Sequence, residues 1–330
     1  MKQGARRFFK YARERHQVYL NREAGLSRDK WTRDPILQQY RFTNVFRELD
    51  KTTTWFRQNV RDRLRDSPDV LLATVVFRML NRIEVGEAIF CQQLLPLGRF
   101  KKAPGPTAWD AFRGTGDTSI LRHAIKTALP RGPYVTGAYI ISSAPGKPKL
   151  DGVLEVIGRF YKQKKRTELS SQDNLLAGWR EVANNLLGEK SLRMIDFGTL
   201  EDTFLWLSQY DYFGKFHSYE IVTDLRHTAL LDRAPDINTW CNVGPGARRG
   251  LNRVMGRDYK DKTTKTPQML AEMQELLALS RDPSQWPMDG RNFGEHWPAW
   301  ELRDVEHTLC EFDKYERVRL GQGTPRGVYR

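Results

Sequence analysis

The 330-residue chain carries 54 Lys and Arg against 40 Asp and Glu, a formal charge of +14, with 39% hydrophobic and 11% aromatic residues. That apolar content supports a folded core and excludes a disordered basic tail, while the charge points to a polyanionic partner. The three cysteines (Cys91, Cys241, Cys310) lie far apart, which excludes a disulfide framework, a zinc site and a four-thiolate iron–sulfur cluster and implies a reducing compartment.

Residues 1–33 hold ten Lys and Arg against three acids, so 1–34 reads as a basic N-terminal arm closed by Asp34-Pro35. Apolar residues at spacings of three and four predict helices over 36–51, 53–65, 68–80 and 84–95. A loop-rich stretch follows at 97–116, and YVTGAYIISS (134–143) is the one segment whose β-branched and aromatic content predicts extended chain. Helical patterns return over 154–162, 172–187, 199–209, 217–231, 235–241, 247–255, 266–280 and 300–319, with an aromatic-pinned loop at 283–298. The fold class is therefore mainly α. No apolar run reaches the ~20 residues of a membrane span, so neither secretion nor a membrane partner is expected. Two further basic clusters, 159–166 (RFYKQKKR) and 248–265, fit either phosphate neutralisation or a solvated face.

APDINTWCNVGPGARRGLNRVMG (234–256) reads as a short helix, a tight turn at 243–246 and a second, basic helix. The free amides of a helix N-terminus behind such a turn suit an anion, and Arg248 and Arg249 add charge. Asn242, Val243, Gly244, Gly246, Ala247, Arg248 and Arg249 are the expected DNA contacts; an ordinary helical corner is the alternative.

Around this hairpin the chain resembles the helix-hairpin-helix DNA glycosylase superfamily, which includes endonuclease III. VLLATVVFRMLNRIEVGEAIF (70–90) resembles its buried helix and duplex wedge, with Met79 and Leu80 as wedge residues, and YFGKFHSYEIVTDL (212–225) its approach to the hairpin. Arg248 stands where a glycosylase has its lysine nucleophile and forms no Schiff base. RFTNVFRELD (41–50), FRMLNR (77–82), TGAYIISS (136–143), SYEIVTDLRHTALL (218–231), NVGPGARRGLNR (242–253) and DVEHTLCEFDKYERVR (304–319) together resemble the phage alpha-glutamyl/putrescinyl thymine pyrophosphorylase family, the amino acid:DNA transferases. The resemblance implies a helical core of 35–96 and 199–320, an inserted segment 97–198 and a tail 321–330. It also implies an enzyme of the infected host cytoplasm that replaces the phosphate or pyrophosphate on the C5 methylene of a modified uracil in double-stranded DNA with an amino acid or polyamine. A separate 5-hydroxymethyluracil DNA kinase acts first in that scheme, since no GxxxxGK[ST] occurs here.

Such chemistry asks for a flipped base, cations for the leaving group and a general base for the amine. Arg41, Arg47, Arg78, Arg82, Arg226 and Arg248 fall within the matched strings, with Asn44, Asn81, His227 and Lys314 as further substrate contacts. Glu306 or Asp304 is the expected base, with Glu220, Asp224 and Asp313 as rivals; salt-bridge roles for these acids are the alternative. Cys310 follows His307 by three positions and offers a thiolate for pyrimidine C6. Mg²⁺ is left open, because no DxD cluster appears. A glycosylase excising a modified pyrimidine and a non-catalytic DNA-binding module are the competing functions.

Overall fold

The computed structural model describes residues 2–94, 105–137, 140–174, 198–287 and 297–329. Among them the regular structure is helical, with two isolated β-bridges, Tyr40 to Val328 and Gln93 to Thr107. No described helix is long and apolar enough to cross a membrane. The chain divides into two compact units, Met1–Thr53 with Pro235–Arg330, and Thr54–Ala234.

In the first unit the basic N-terminal segment is a 22-residue helix, α1 (Lys2–Glu23). Phe8, Phe9, Ala12, Arg15 and His16 recur on one face and are buried there, while Arg6, Arg7, Lys10 and Arg22 are exposed. Phe8 meets Trp300 and Phe312 edge to face, with ring centroids 5.8 and 5.7 Å apart. Asp34 caps a short helix, α2 (Pro35–Gln39), by accepting from the amides of Ile36 and Leu37 at 2.8 and 3.1 Å. The helix expected over 36–51 ends there. Beyond it the Asn44 amide donates to Asp50 at 2.9 Å and the Asn44 side chain to the Leu49 carbonyl at 2.7 Å, so side chains take the bonds a helix would need.

The same unit contains α11 (Pro245–Met255), α12 (Thr266–Leu279) and α13 (Leu302–Arg319). Gly246, Ala247 and Gly250 let α11 lie directly on α13; a Cβ at Gly250 would overlap the Leu309 carbonyl oxygen. The first helix of the expected hairpin, 235–241, is only a turn in which the Asp236 carbonyl accepts from Thr239 and Trp240. Half of the helix-hairpin-helix pattern is thus present as helix. The Trp286 indole donates to the Pro298 carbonyl at 2.8 Å and meets Trp297 and Trp300 edge to face, pinning both flanks of the loop at 283–298, whose middle lies outside the described residues.

The second unit is built on α4 (Val70–Leu80), all eleven residues of which are buried. Each large apolar side chain there contributes roughly 1.5–3 kcal/mol of burial. Around it are α3 (Lys51–Phe56, its last residues), α5 (Ile83–Gly86), α6 (Ala108–Thr115), α7 (Thr118–Ala128), α8 (Lys149–Asn174), α9 (Leu200–Ser208) and α10 (Gly214–Leu225). The helix expected over 217–231 starts earlier and stops at Leu225, where the Thr228 hydroxyl takes the Leu225 carbonyl. The expected extended segment 134–143 forms no strand among its described residues; the Thr136 amide donates instead to the Leu80 carbonyl at 2.9 Å, at the end of α4. Most of the helix expected over 172–187 lies outside the described residues.

Candidate functional site

Within the first unit, the loop at 42–50 meets the last helix through a chain of polar contacts. Arg15, reaching from α1, donates to the Phe42 carbonyl at 2.9 Å and to the Asn44 side chain at 2.6 Å. The Thr43 hydroxyl and His307 Nε2 are 2.9 Å apart, and that nitrogen lies 3.2 Å from the Asn44 carbonyl. The Thr43 amide donates to Glu311 at 3.3 Å, and Glu311 is ion-paired with Lys314. Burial works to raise the Glu311 carboxyl, but Lys314 and His307 outweigh it and hold it below its ordinary range. Asp50 is pushed up to about 6 by burial, against the pull of the Asn44 amide, Arg15 and Arg47.

Beside this chain runs a half-buried stripe of the same helix, Glu306, His307, Cys310 and Lys314, alongside the head of α11. Gly244 is extended (φ −69°, ψ 164°) and Pro245 opens the helix with its ring presetting φ. The Gly244 amide faces Glu306 Oε1 at 3.4 Å, and a Cβ on Gly246 would run into Cys310 Sγ. The turn at 243–246 is thus fixed against α13 by its own packing, with Pro245 outward and Asn242, Val243, Gly244 and Gly246 half-buried. Arg248 donates to the Thr264 carbonyl at 2.8 Å and Arg249 to Asp313 at 2.8 Å; Ala247 is core.

Several expected site residues serve the scaffold instead. Asp313 is fully buried and held by Arg249, by Arg253 at 3.0 Å and by Arg317 at 3.4 Å, which leaves no face for substrate. Asp304 is 2% exposed and closes a capping box with Glu301 at the start of α13. Burial, reinforced by Glu301 and Glu48 against Arg303, lifts its carboxyl to about 7. The Cys310 thiol is pushed up to about 12 by burial and the neighbouring Glu311, which works against the expected thiolate at neutral pH.

In the second unit, Arg78 is buried across the Phe56 and Phe77 rings, and its guanidinium donates to both Asp224 oxygens and to the Asn81 side chain at 2.9 Å. Arg61 lies 3.8 Å from the same Asp224. Asp224 is 0% exposed, a structural counter-ion. Asn81 turns the chain at the end of α4 with φ +51°. Met79 and Leu80, expected as a duplex wedge, are core residues of α4. Arg82 pairs with Glu84 at 3.2 Å, Arg226 donates to the Asp232 carbonyl at 3.4 Å, and Glu220 and His227 are half-buried. In the first unit Asn44 and Arg47 are buried, whereas Arg41 is exposed over the Tyr329 ring.

Sequence reasoning missed Arg15, Thr43, Asp50 and Glu311. Thr43, Asp50 and Glu311 lie inside the quoted strings 41–50 and 304–319, and Arg15 was counted only as charge. No group of three or more His, Cys, Asp or Glu side chains able to hold a metal occurs among the described residues.

Over residues 2–324 the chain matches the family model described as 5-hmdU DNA kinase, helical domain. The chain belongs to this family. It is 22% identical over 319 residues to the 5-hmdU DNA kinase of Bacillus phage SP10, an alignment covering 92% of this chain and 43% of that protein. The chain thus spans less than half the length of that relative. No solved structure matches it. These findings overturn the amino acid:DNA transferase reading and its glycosylase alternative: the family's name is that of a kinase. The expected order, with the kinase as a separate earlier protein and an amino acid or polyamine as co-substrate, falls with them.

Proposed function

We propose that this chain serves phosphorylation of the hydroxymethyl group of 5-hydroxymethyl-2′-deoxyuridine in DNA, and that it holds and activates the modified nucleotide as phosphoryl acceptor. The observation that carries the reading is the kinase helical-domain match over residues 2–324. A nucleoside triphosphate is the proposed donor. No GxxxxGK[ST] loop occurs in the 330 residues, so the donor's site is assigned to none of the arrangements described above.

The C5 substituent of a thymine-type base projects into the major groove, so its hydroxyl is reachable without extruding the base, and buried Met79 and Leu80 are not needed as a wedge. Phosphoryl transfer asks chiefly for a positioned nucleophile, an acceptor for its proton and cations against the developing charge. The stripe on α13 and the facing end of α11 offer these groups: Glu306 as proton acceptor, with Lys314, paired to Glu311, and Arg249, paired to Asp313, as the cations. The head of α11 presents its amide end to a phosphate of the same strand.

Glu306→Ala tests this assignment. Its affinity for a thymidine duplex is expected to hold, while preference for a duplex with one 5-hydroxymethyl-2′-deoxyuridine falls by about tenfold, the worth of one charge-assisted hydrogen bond. An intact preference removes Glu306 from the acceptor role.

A further inference from the structure

Elsewhere in the first unit, three arginines converge on one aromatic ring. The Arg22, Arg28 and Arg41 guanidinium carbons lie 5.8, 5.4 and 5.3 Å from the centroid of the Tyr329 ring. Arg22 also sits 5.1 Å from Trp31, whose ring meets Tyr329 edge to face at 5.4 Å. The backbone carrying the ring is held in place: the Tyr329 amide donates to the Gln39 carbonyl at 3.0 Å, and the Arg41 backbone amide donates to the Gly327 carbonyl at 2.9 Å. Arg28 is fixed by two bonds to the Gln38 carbonyl, at 2.7 and 3.2 Å. It borders a cleft of about 550 Å³ with Asp29, Pro35, Gln38 and Gln39.

All three arginines are exposed, and among the described residues none has a carboxylate partner. Asp29, the acid at the cleft, is engaged by Ser27, which holds its carboxyl below the ordinary range. Cation–π contacts offset part of the crowding of three like charges, yet supply no counter-charge. An anion with several charges in a row would supply it. With guanidiniums lying over the Tyr329 and Trp31 rings, the surface offers clustered cations more than bare aromatic faces, so it suits backbone phosphates.

We propose that Arg22, Arg28 and Arg41, gathered around Tyr329, form a second phosphate-binding surface that grips the DNA backbone beyond the modified nucleotide, independently of sequence. This rests on the DNA-acting function proposed above, and it gives part of the chain's charge a location in residues other than those of the acceptor stripe.

The test is the salt dependence of binding to an unmodified thymidine duplex for the wild type, Arg28→Gln/Arg41→Gln and Arg28→Lys/Arg41→Lys. The Gln pair is expected to bind roughly tenfold more weakly near 0.15 M salt, with a log–log salt slope shallower by about two, because each lost phosphate contact removes nearly one released counterion. The Lys pair, which keeps the charge, is expected to retain the wild-type slope and thereby shows that the Gln effect is not misfolding. Wild-type affinity and slope in the Gln pair would overturn the proposal and leave the three arginines as a clamp on the C-terminal tail. A Gln pair that loses affinity for ATP but not for duplex would also overturn it, since the phosphates would then belong to a nucleotide. If the wild type binds no duplex at all, the proposed function fails together with this surface. A wild type that prefers the modified duplex beside unchanged variants removes this surface alone.

Discussion

Asp304 keeps its proton to about pH 7 because burial outweighs the pull of Arg303, whereas the same carboxyl in the unfolded chain releases it near pH 4. Between those values the folded protein binds more protons than the unfolded one, so this residue's contribution makes stability fall as pH rises through that window and level off above it. Asp304→Asn keeps an oxygen to accept the Glu301 amide and removes the titration. Urea midpoints at pH 5 and pH 8 are expected to show the variant gaining on the wild type at the higher pH; a constant difference would contradict the burial account. Asp224 gives the opposite case. Its charge is required by Arg78 and Arg61, so Asp224→Asn is expected to cost about 3–5 kcal/mol in denaturant unfolding. A loss below about 1 kcal/mol would mean that the arginines find other partners. Both acids look alike in sequence, on helix faces near arginines, and both are buried; only their partners in the fold, the Glu301 amide for one and the Arg78 and Arg61 guanidiniums for the other, separate a cap from a counter-ion. Arg15 was illegible for a related reason: a cation among ten in the first 33 residues reads as surface until the helix is seen to turn it inward onto Phe42 and Asn44.

At the level of elements, the small residues of α11 set how near it can come to α13. Gly250→Ala places a methyl on the Leu309 carbonyl oxygen, which backbone cannot yield, and is expected to cost about 1–3 kcal/mol with a matching fall in melting temperature. Gly246→Ala meets the Cys310 thiol instead. Adding Cys310→Ala is expected to restore much of the lost stability, and a strictly additive double variant would contradict that contact. Periodicity alone revealed α4, α9, α11, α12 and α13, whose apolar faces follow the helical period. It failed at 36–51 and 235–241, where Asn44, Asp50 and Asp236 divert backbone hydrogen bonds into local turns. The N-terminal segment was legible as charge but not as a packed helix, since its apolar residues are interspersed with seven cations.

Across the whole molecule, the three- and four-residue apolar spacing pointed correctly to a mainly helical protein, and the charge of +14 remains the broadest physical reason to expect a polyanion. The reaction was not legible. Strings such as those at 41–50 and 304–319 build the contact of Thr43, Asn44, Glu311 and His307, and a scaffold of that kind does not state which group leaves or arrives. The kinase family match corrects that reading, and in the function proposed above the group to be held and deprotonated is a hydroxyl. The account predicts that, in a competition titration at ~0.15 M salt, the chain binds a duplex containing one 5-hydroxymethyl-2′-deoxyuridine about tenfold more tightly than the same duplex with thymidine in its place. Equal affinity for the two duplexes would contradict it.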